Sequence, residues 1–186
     1  MENIKNNRMV PTERIARLMT EHMGHPENKR KQGALVVIDE QPPVGDNTTL
    51  ALYMISMETI KQKNPVAYFT PVLSNVQVVN RLISMVTGIS RGKIEAGTLS
   101  EDEWKLLDER MPLLTNAPLY VDDTQKTTIA ELADKIARLA TDNGVRVVVI
   151  NPVSQMDIEG KNFDDITRSL NTLAADLGIV IFAIKD

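Results

Sequence analysis

The sequence has no cysteine and only two histidines, His22 and His25. The first absence excludes disulfides, thiolate metal sites and cysteine nucleophiles together. Two imidazoles in a polar stretch are too few for a zinc centre and poorly placed for a Ser-His-Asp triad, so both read as surface histidines without a role. Aromatic residues make up 4% of the chain, and Trp104, Tyr53 and Tyr68 stand apart from the Lys/Arg clusters, which leaves no visible platform for stacking bases. No apolar run approaches the roughly 20 residues that a membrane span needs. The opening Met-Glu-Asn-Ile-Lys-Asn-Asn-Arg is polar with no apolar stretch behind it, so a targeting segment is not expected and a cytoplasmic location is.

Charge is present but unevenly distributed. The net charge is −4, yet residues 1–32 hold seven Lys/Arg against four Asp/Glu, leaving 14 basic and 21 acidic residues for the remainder. Lys29-Arg30-Lys31 reads as a solvated face or as a weak contact for nucleic acid. Pro11 opens an amphipathic stretch (Ile15, Leu18, Met19, Met23) that Gly24-His25-Pro26 stops, so residues 1–32 are expected to form a basic arm or first helix, ahead of a core domain at 33–186.

Four short apolar, β-branched runs read as buried strands: Ala34 to Ile38, Val66 to Phe69, Val145 to Ile150 and Ile179 to Ile184, with Pro118 to Val121 as a weaker fifth. Helical spacing is found at about 48–63, 75–87, 101–114 and 163–177. A further apolar stripe (Ile129, Leu132, Ala133, Ile136, Ala137, Leu139, Ala140) lies behind Thr127-Thr128-Ile129-Ala130-Glu131, which offers a capping box. Gly144 and Gly178 are placed to stop helices just before strands. Met54, Met57, Met85 and Met111 fall on apolar helix faces as core filler. Alternating strands and helices imply a three-layer α/β fold with a mostly parallel sheet, whose ligands bind beyond the carboxyl ends of the strands.

Gly33 to Ile38, followed by Pro42-Pro43-Val44-Gly45 and Thr49-Leu50-Ala51-Leu52, resembles the strand, phosphate loop and helix of the RecA-like motor domain of DnaB-type replicative DNA helicases. The likeness continues through Pro65 to Thr70 with Leu73-Ser74, Gln77 and Asn80 to Ser84, through Gly97 to Trp104 and Ala117 to Thr124, and through Val145 to Met156 and Ile179 to Asp186. It implies a RecA-like fold over about residues 33–186, an ATP- and magnesium-dependent helicase, and assembly through the flanks of the core. The sequence stops at Asp186, directly after the fourth motif, so the DNA-binding loops and arginine finger that follow in that family are expected to be lacking.

The resemblance also implies four functional positions, and at each this chain departs from the pattern. A working phosphate loop sets Lys-Thr/Ser at the helix start; here Gly45-Asp46-Asn47-Thr48-Thr49 offers anions and amides, with Thr48 or Thr49 left as a hydroxyl. The segment also reads as a plain turn with Asp or Asn capping a helix. Val72 stands where the family has the glutamate that activates water, and valine accepts no proton. Asn151 stands for the aspartate of the magnesium shell. Lys185-Asp186 replaces the Ser-Gln that senses the terminal phosphate. No catalytic residue, metal or cofactor is therefore expected, and a pseudo-ATPase acting as an interaction or regulatory module in DNA replication or mobile-element maintenance is the leading reading. Its partner would be a replicative helicase or further copies of the chain. The alternatives are a weakly hydrolysing ATP-binding enzyme, with Glu40 as an unrecognised base, and an accessory DNA-binding protein. The carboxylate pairs Asp122-Asp123 and Asp164-Asp165 read as structural, the second suited to a helix N-terminus.

Overall fold

The computed structural model describes residues 33–39, 46–158 and 162–185. His22, His25, Lys29, Arg30, Lys31, Glu40, Gly45 and Asp186, and the expected arm at 1–32, lie outside the described residues. Five strands form one sheet: β1 (Ala34–Ile38), β2 (Val66–Phe69), β3 (Leu119–Asp122), β5 (Val147–Ile150) and β7 (Val180–Ile184). Their order is β1-β7-β5-β2-β3 and every pairing is parallel. A separate two-stranded pair joins β4 (Lys126–Thr127) to β6 (Asp157–Ile158), an element too short to leave a period in the sequence.

Because strand side chains alternate in direction, a sheet covered on both sides needs both residue sets to be apolar. Val66, Tyr68, Val147, Val149, Phe182 and Ile184 pack on one face against α1 (Asn47–Ser56) and α2 (Asn75–Thr87). Ala67, Phe69, Val148, Ile150, Ile181 and Ala183 pack on the other against α5 (Ile129–Asp142) and α6 (Phe163–Leu177). The three-layer α/β fold expected from the strand and helix spacing is what forms. The weak strand is the sheet edge beside β2, half-buried along its length.

Local chemistry sets the element ends. Ser74 with Gln77, Ser100 with Glu103 and Thr128 with Glu131 each close a capping box, at α2, at α4 (Glu101–Thr115) and at α5. Gly178, at φ +62°, ends α6 in the left-handed conformation that a side chain would resist. The helix expected at 48–63 is α1 followed by a π-helical turn, Met57–Lys61. A short helix α3 (Arg91–Ala96), with no buried residue, was not legible as a helix in the sequence. Met54 is core, but Met85 is not: it lies 36% exposed on α2, which corrects its reading as filler.

The register brings the carboxyl ends into line. Ile38 pairs with Ile184, Ala183 with Ile150, Ile150 with Phe69, and Phe69 with Asp122. Residues that directly follow these strands therefore share one rim, with the start of α1 beside it.

Candidate functional site

Asp46 precedes α1 in extended conformation (φ −116°, ψ 169°), and its carbonyl accepts the first helical bond from Leu50 N at 3.1 Å. Its carboxylate does more than a turn residue needs. Oδ1 accepts from Thr49 N at 2.6 Å and from Thr49 Oγ1 at 2.7 Å, while Oδ2 lies 3.9 Å from Arg81 Nη1. The Thr49 hydroxyl is the largest influence holding the carboxyl below the usual aspartate range; partial burial opposes it, and the Thr49 amide and Arg81 charge add to it. A helix-start amide, a hydroxyl and a guanidinium are what a phosphate oxygen would seek here. An anion belonging to the chain already has them.

This arrangement makes a stability prediction. Asp46→Ala removes the cap and is expected to cost about 1 kcal/mol, read as a lower midpoint in urea at pH 7. Because the folded-state pKa is depressed, that contribution is present above the unfolded value and is lost as pH falls through the folded one. Wild type and variant should therefore converge in strong acid.

The next residues turn inward. Asn47 Nδ2 donates to the carbonyl of Lys185 at 2.8 Å, tying the start of α1 to the end of β7. Asn151, directly after β5 and 1% exposed, donates from Nδ2 to Thr48 Oγ1 and to the Tyr68 hydroxyl, both at 3.4 Å. Burial pushes the Tyr68 phenol up against the opposing hydrogen bond from Asn151, so it keeps its proton. Asn47 Oδ1, Thr70 Oγ1 and Asn151 Oδ1 are buried at this rim without a protein hydrogen-bond partner. Neutral oxygens of this kind suit water; magnesium holds to carboxylates and phosphates. The described residues contain no group of three or more His, Cys, Asp or Glu able to hold a metal ion. Among the described residues the one carboxylate at the helix start is engaged with Thr49, and an amide nitrogen faces Thr48.

Val72 sits 43% exposed on the bend after β2. Lys185 is the cation closest in sequence to the rim, but its Nζ lies 3.2 Å from Asp39 Oδ2 and 5.2 Å above the Phe163 ring. Three of the four paired carboxylates are engaged within the fold. Asp122 accepts an ion pair from Lys135 at 2.7 Å; burial works against its charge, yet the bonds from Lys135 and Thr124 hold its pKa down. Asp123 accepts from Asn75 N, and Asp165 N is capped by Asn162 while its carboxylate lies 3.7 Å from Arg168. Reading the sequence did not single out Arg81 or Tyr68 as site residues. Neither carries a local signal, since each reaches the rim from an element whose spacing says only that it packs on the core.

Comparison with known proteins gives these positions a context. Residues 28–186 match the family described as DnaB-like helicase C terminal domain. The chain is 30% identical over 157 residues to the replicative DNA helicase DnaB of Nostoc sp., covering 81% of this chain and 18% of that protein. It is 27% identical over 158 residues to DnaB of Geobacillus stearothermophilus (81% and 35%). It is 31% identical over 158 residues to a probable plasmid replicative DNA helicase of Chlamydia muridarum (82% and 35%). The chain therefore spans 18% to 35% of the length of these relatives. Its fold is similar to a solved structure described as an ATPase domain, with TM-score 0.72 and 20% identity over 84% of this chain and 58% of that one. It is also similar to a DnaB-like replicative helicase whose structure describes its interactions with primase, with TM-score 0.66 and 17% identity over 82% and 38%. No described helix is long and apolar enough to cross a membrane.

Proposed function

The chain belongs to the DnaB-like helicase C-terminal domain family, and from that premise we propose that it is a non-hydrolysing member, a RecA-like core working in DNA replication as an interaction or regulatory module. The observation that carries this reading is the Asp46 carboxylate, bonded to the Thr49 amide and hydroxyl and facing Arg81 at the start of the helix that follows β1; on this reading it occupies the place of a nucleotide phosphate. A phosphate arriving there must displace this carboxylate or sit beside it. At about 4 Å and an effective dielectric of about 20, two like charges repel by about 4 kcal/mol before screening by solvent. Surface exposure reduces that figure, but its sign is opposite to the attraction that a loop lysine supplies.

The remaining rim supports the same reading. Val72 cannot take a proton from water, and Asn151 presents an amide where a metal-binding carboxylate would be needed. Both faces of the described sheet are meanwhile covered by helices, which supports a folded scaffold whose role is to dock on a replicative helicase or on copies of itself.

Phosphate release from ATP is the functional test, measured with the purified chain in magnesium buffer with and without single-stranded DNA. The rate is expected to equal that of the protein-free control in both conditions. Turnover that disappears in a Thr48→Ala or Asn151→Ala variant would instead establish a working site and overturn the proposal.

A further inference from the structure

The joint between α5 and β5 lies at the opposite end of β5 from the strand-end rim, and its chemistry needs no nucleotide. Asn143 is the C-cap of α5 and the only asparagine in the sequence that glycine follows. Both residues are exposed, and Gly144 turns the chain at φ +69°, a conformation open to glycine without strain. Asn143 N and Val145 N both donate to the carbonyl of Leu139, at 3.2 Å and 3.1 Å. The Gly144 N–H between them has no hydrogen-bond partner among the described residues, and neither has the Asn143 side-chain amide. A Cβ placed on Gly144 would meet nothing within 4 Å. An unhindered backbone nitrogen thus stands next to an unengaged carboxamide. At every other asparagine the following residue carries a side chain that crowds this nitrogen.

We propose that Asn143-Gly144 is a self-modification site, where the chain loses ammonia to form a cyclic imide that water reopens to aspartate or isoaspartate. The Gly144 nitrogen gives its proton to solvent and attacks Cγ of Asn143. The N–Cγ bond forms, the Cγ–Nδ2 bond breaks, and the side-chain nitrogen takes up a proton and departs as ammonia. Water then cleaves the ring at Cγ, giving aspartate, or at the main-chain carbonyl, giving isoaspartate. One water enters and one ammonia leaves, with no change of oxidation state. Holding both groups on adjacent residues makes the attack intramolecular. The brake is conformational: ψ of 0° at Asn143 turns the nitrogen away from Cγ, and the Val145 to Leu139 hydrogen bond resists the rotation that would bring it round. Fraying of the last turn releases it. Arg146 Nη1 donates to the carbonyls of Ala140 and Val145, both at 2.9 Å, and keeps the joint anchored meanwhile. Aspartate sets a second anion beside Asp142 at the negative end of the α5 dipole. Isoaspartate also lengthens the main chain just before β5, the middle strand of the sheet, whose far end leads into Asn151.

The test is incubation of the full chain at mildly alkaline pH, native and unfolded in urea, with peptide mass spectrometry, chromatographic separation of isoaspartate and measurement of released ammonia. Native protein is expected to convert at Asn143 ahead of every other asparagine, and faster as pH rises. The urea-unfolded chain should convert there about tenfold faster, as removal of one hydrogen bond's restraint allows. Asn143→Gln, at an exposed helix end, should fold as wild type and release no ammonia from this site, because its longer side chain does not form the same ring. The separated isoaspartate form should melt about 2–4 °C below the unmodified protein, and Asn143→Asp, which adds the charge alone, should fall between them. The proposal is overturned if native Asn143 stays intact while the unfolded chain converts, or if it converts no faster than the other asparagines. It is equally overturned if Asn143→Gln releases ammonia at the wild-type rate, or if the isoaspartate form melts with the unmodified protein.

Discussion

Gly33→Ala is expected to lower stability by about 3 kcal/mol, near the upper end of what inserting one methyl into a packed site costs. A Cβ on Gly33 would lie 1.7 Å from the carbonyl oxygen of Ala174, 2.5 Å from its carbonyl carbon and 2.7 Å from the carbonyl oxygen of Ile179. These are backbone atoms, so no rotamer change relieves the overlap. They are also occupied acceptors: Ala174 O takes the amides of Gly178 and Ile179, and Ile179 O takes the amide of Ala34. Moving them apart loosens the end of α6 from the start of β1, and β1 is the strand that leads to the Asp46 loop. For a chain of this size the loss corresponds to a melting temperature about 6–12 °C lower. Gly92→Ala is the control, because a Cβ there meets nothing within 4 Å and the residue lies in a helix. A Gly33→Ala protein melting within about 1 °C of wild type would show that β1 and α6 are not packed as described.

The second large effect concerns the rim. Asn151→Asp puts a charge on this buried side chain, and is expected to destabilise this protein by about 3 kcal/mol at pH 8. The site is 1% exposed, and the side chain's neighbours there are the hydroxyls of Thr48 and Tyr68. Arg81 and Asp46 influence Tyr68 in opposite directions, so their combined field gives little help to a new anion beside it. Burial raises the carboxyl pKa in the folded state, whereas the unfolded chain releases its proton near pH ~3.9. The variant should therefore match wild type below about pH 4, and fall behind as pH rises until the folded-state pKa is passed. Thermal melts from pH 4 to pH 8 read this directly. A gap independent of pH, or a variant as stable as wild type at pH 8, would mean that the site is solvated or already holds a compensating charge.

The fold was legible because its signals are local and repeated. Val147-Val148-Val149 and Ile181-Phe182-Ala183 are apolar at every position, as strands covered on both faces must be, and Thr128 with Glu131 and Gly178 mark helix ends by side-chain chemistry alone. The site was legible only as substitutions against a family pattern. The sequence offers Asp46 ahead of a helix and no lysine beside it; that its carboxylate bonds Thr49 and meets Arg81, 35 positions later, is fixed by the packing of α2 on α1. The π-helical turn at Met57–Lys61 and the β4–β6 pair stayed hidden for a related reason. The β4–β6 pair depends on contacts across the chain, and both elements cover too few residues to set a period.

If an anion of the protein's own stands in the phosphate position, calorimetric titration with magnesium-ATP will give no saturable heat, or a dissociation constant weaker than about 100 μM. A tighter constant, weakened by Thr48→Ala and unchanged by removing the Asp46 charge, would contradict it.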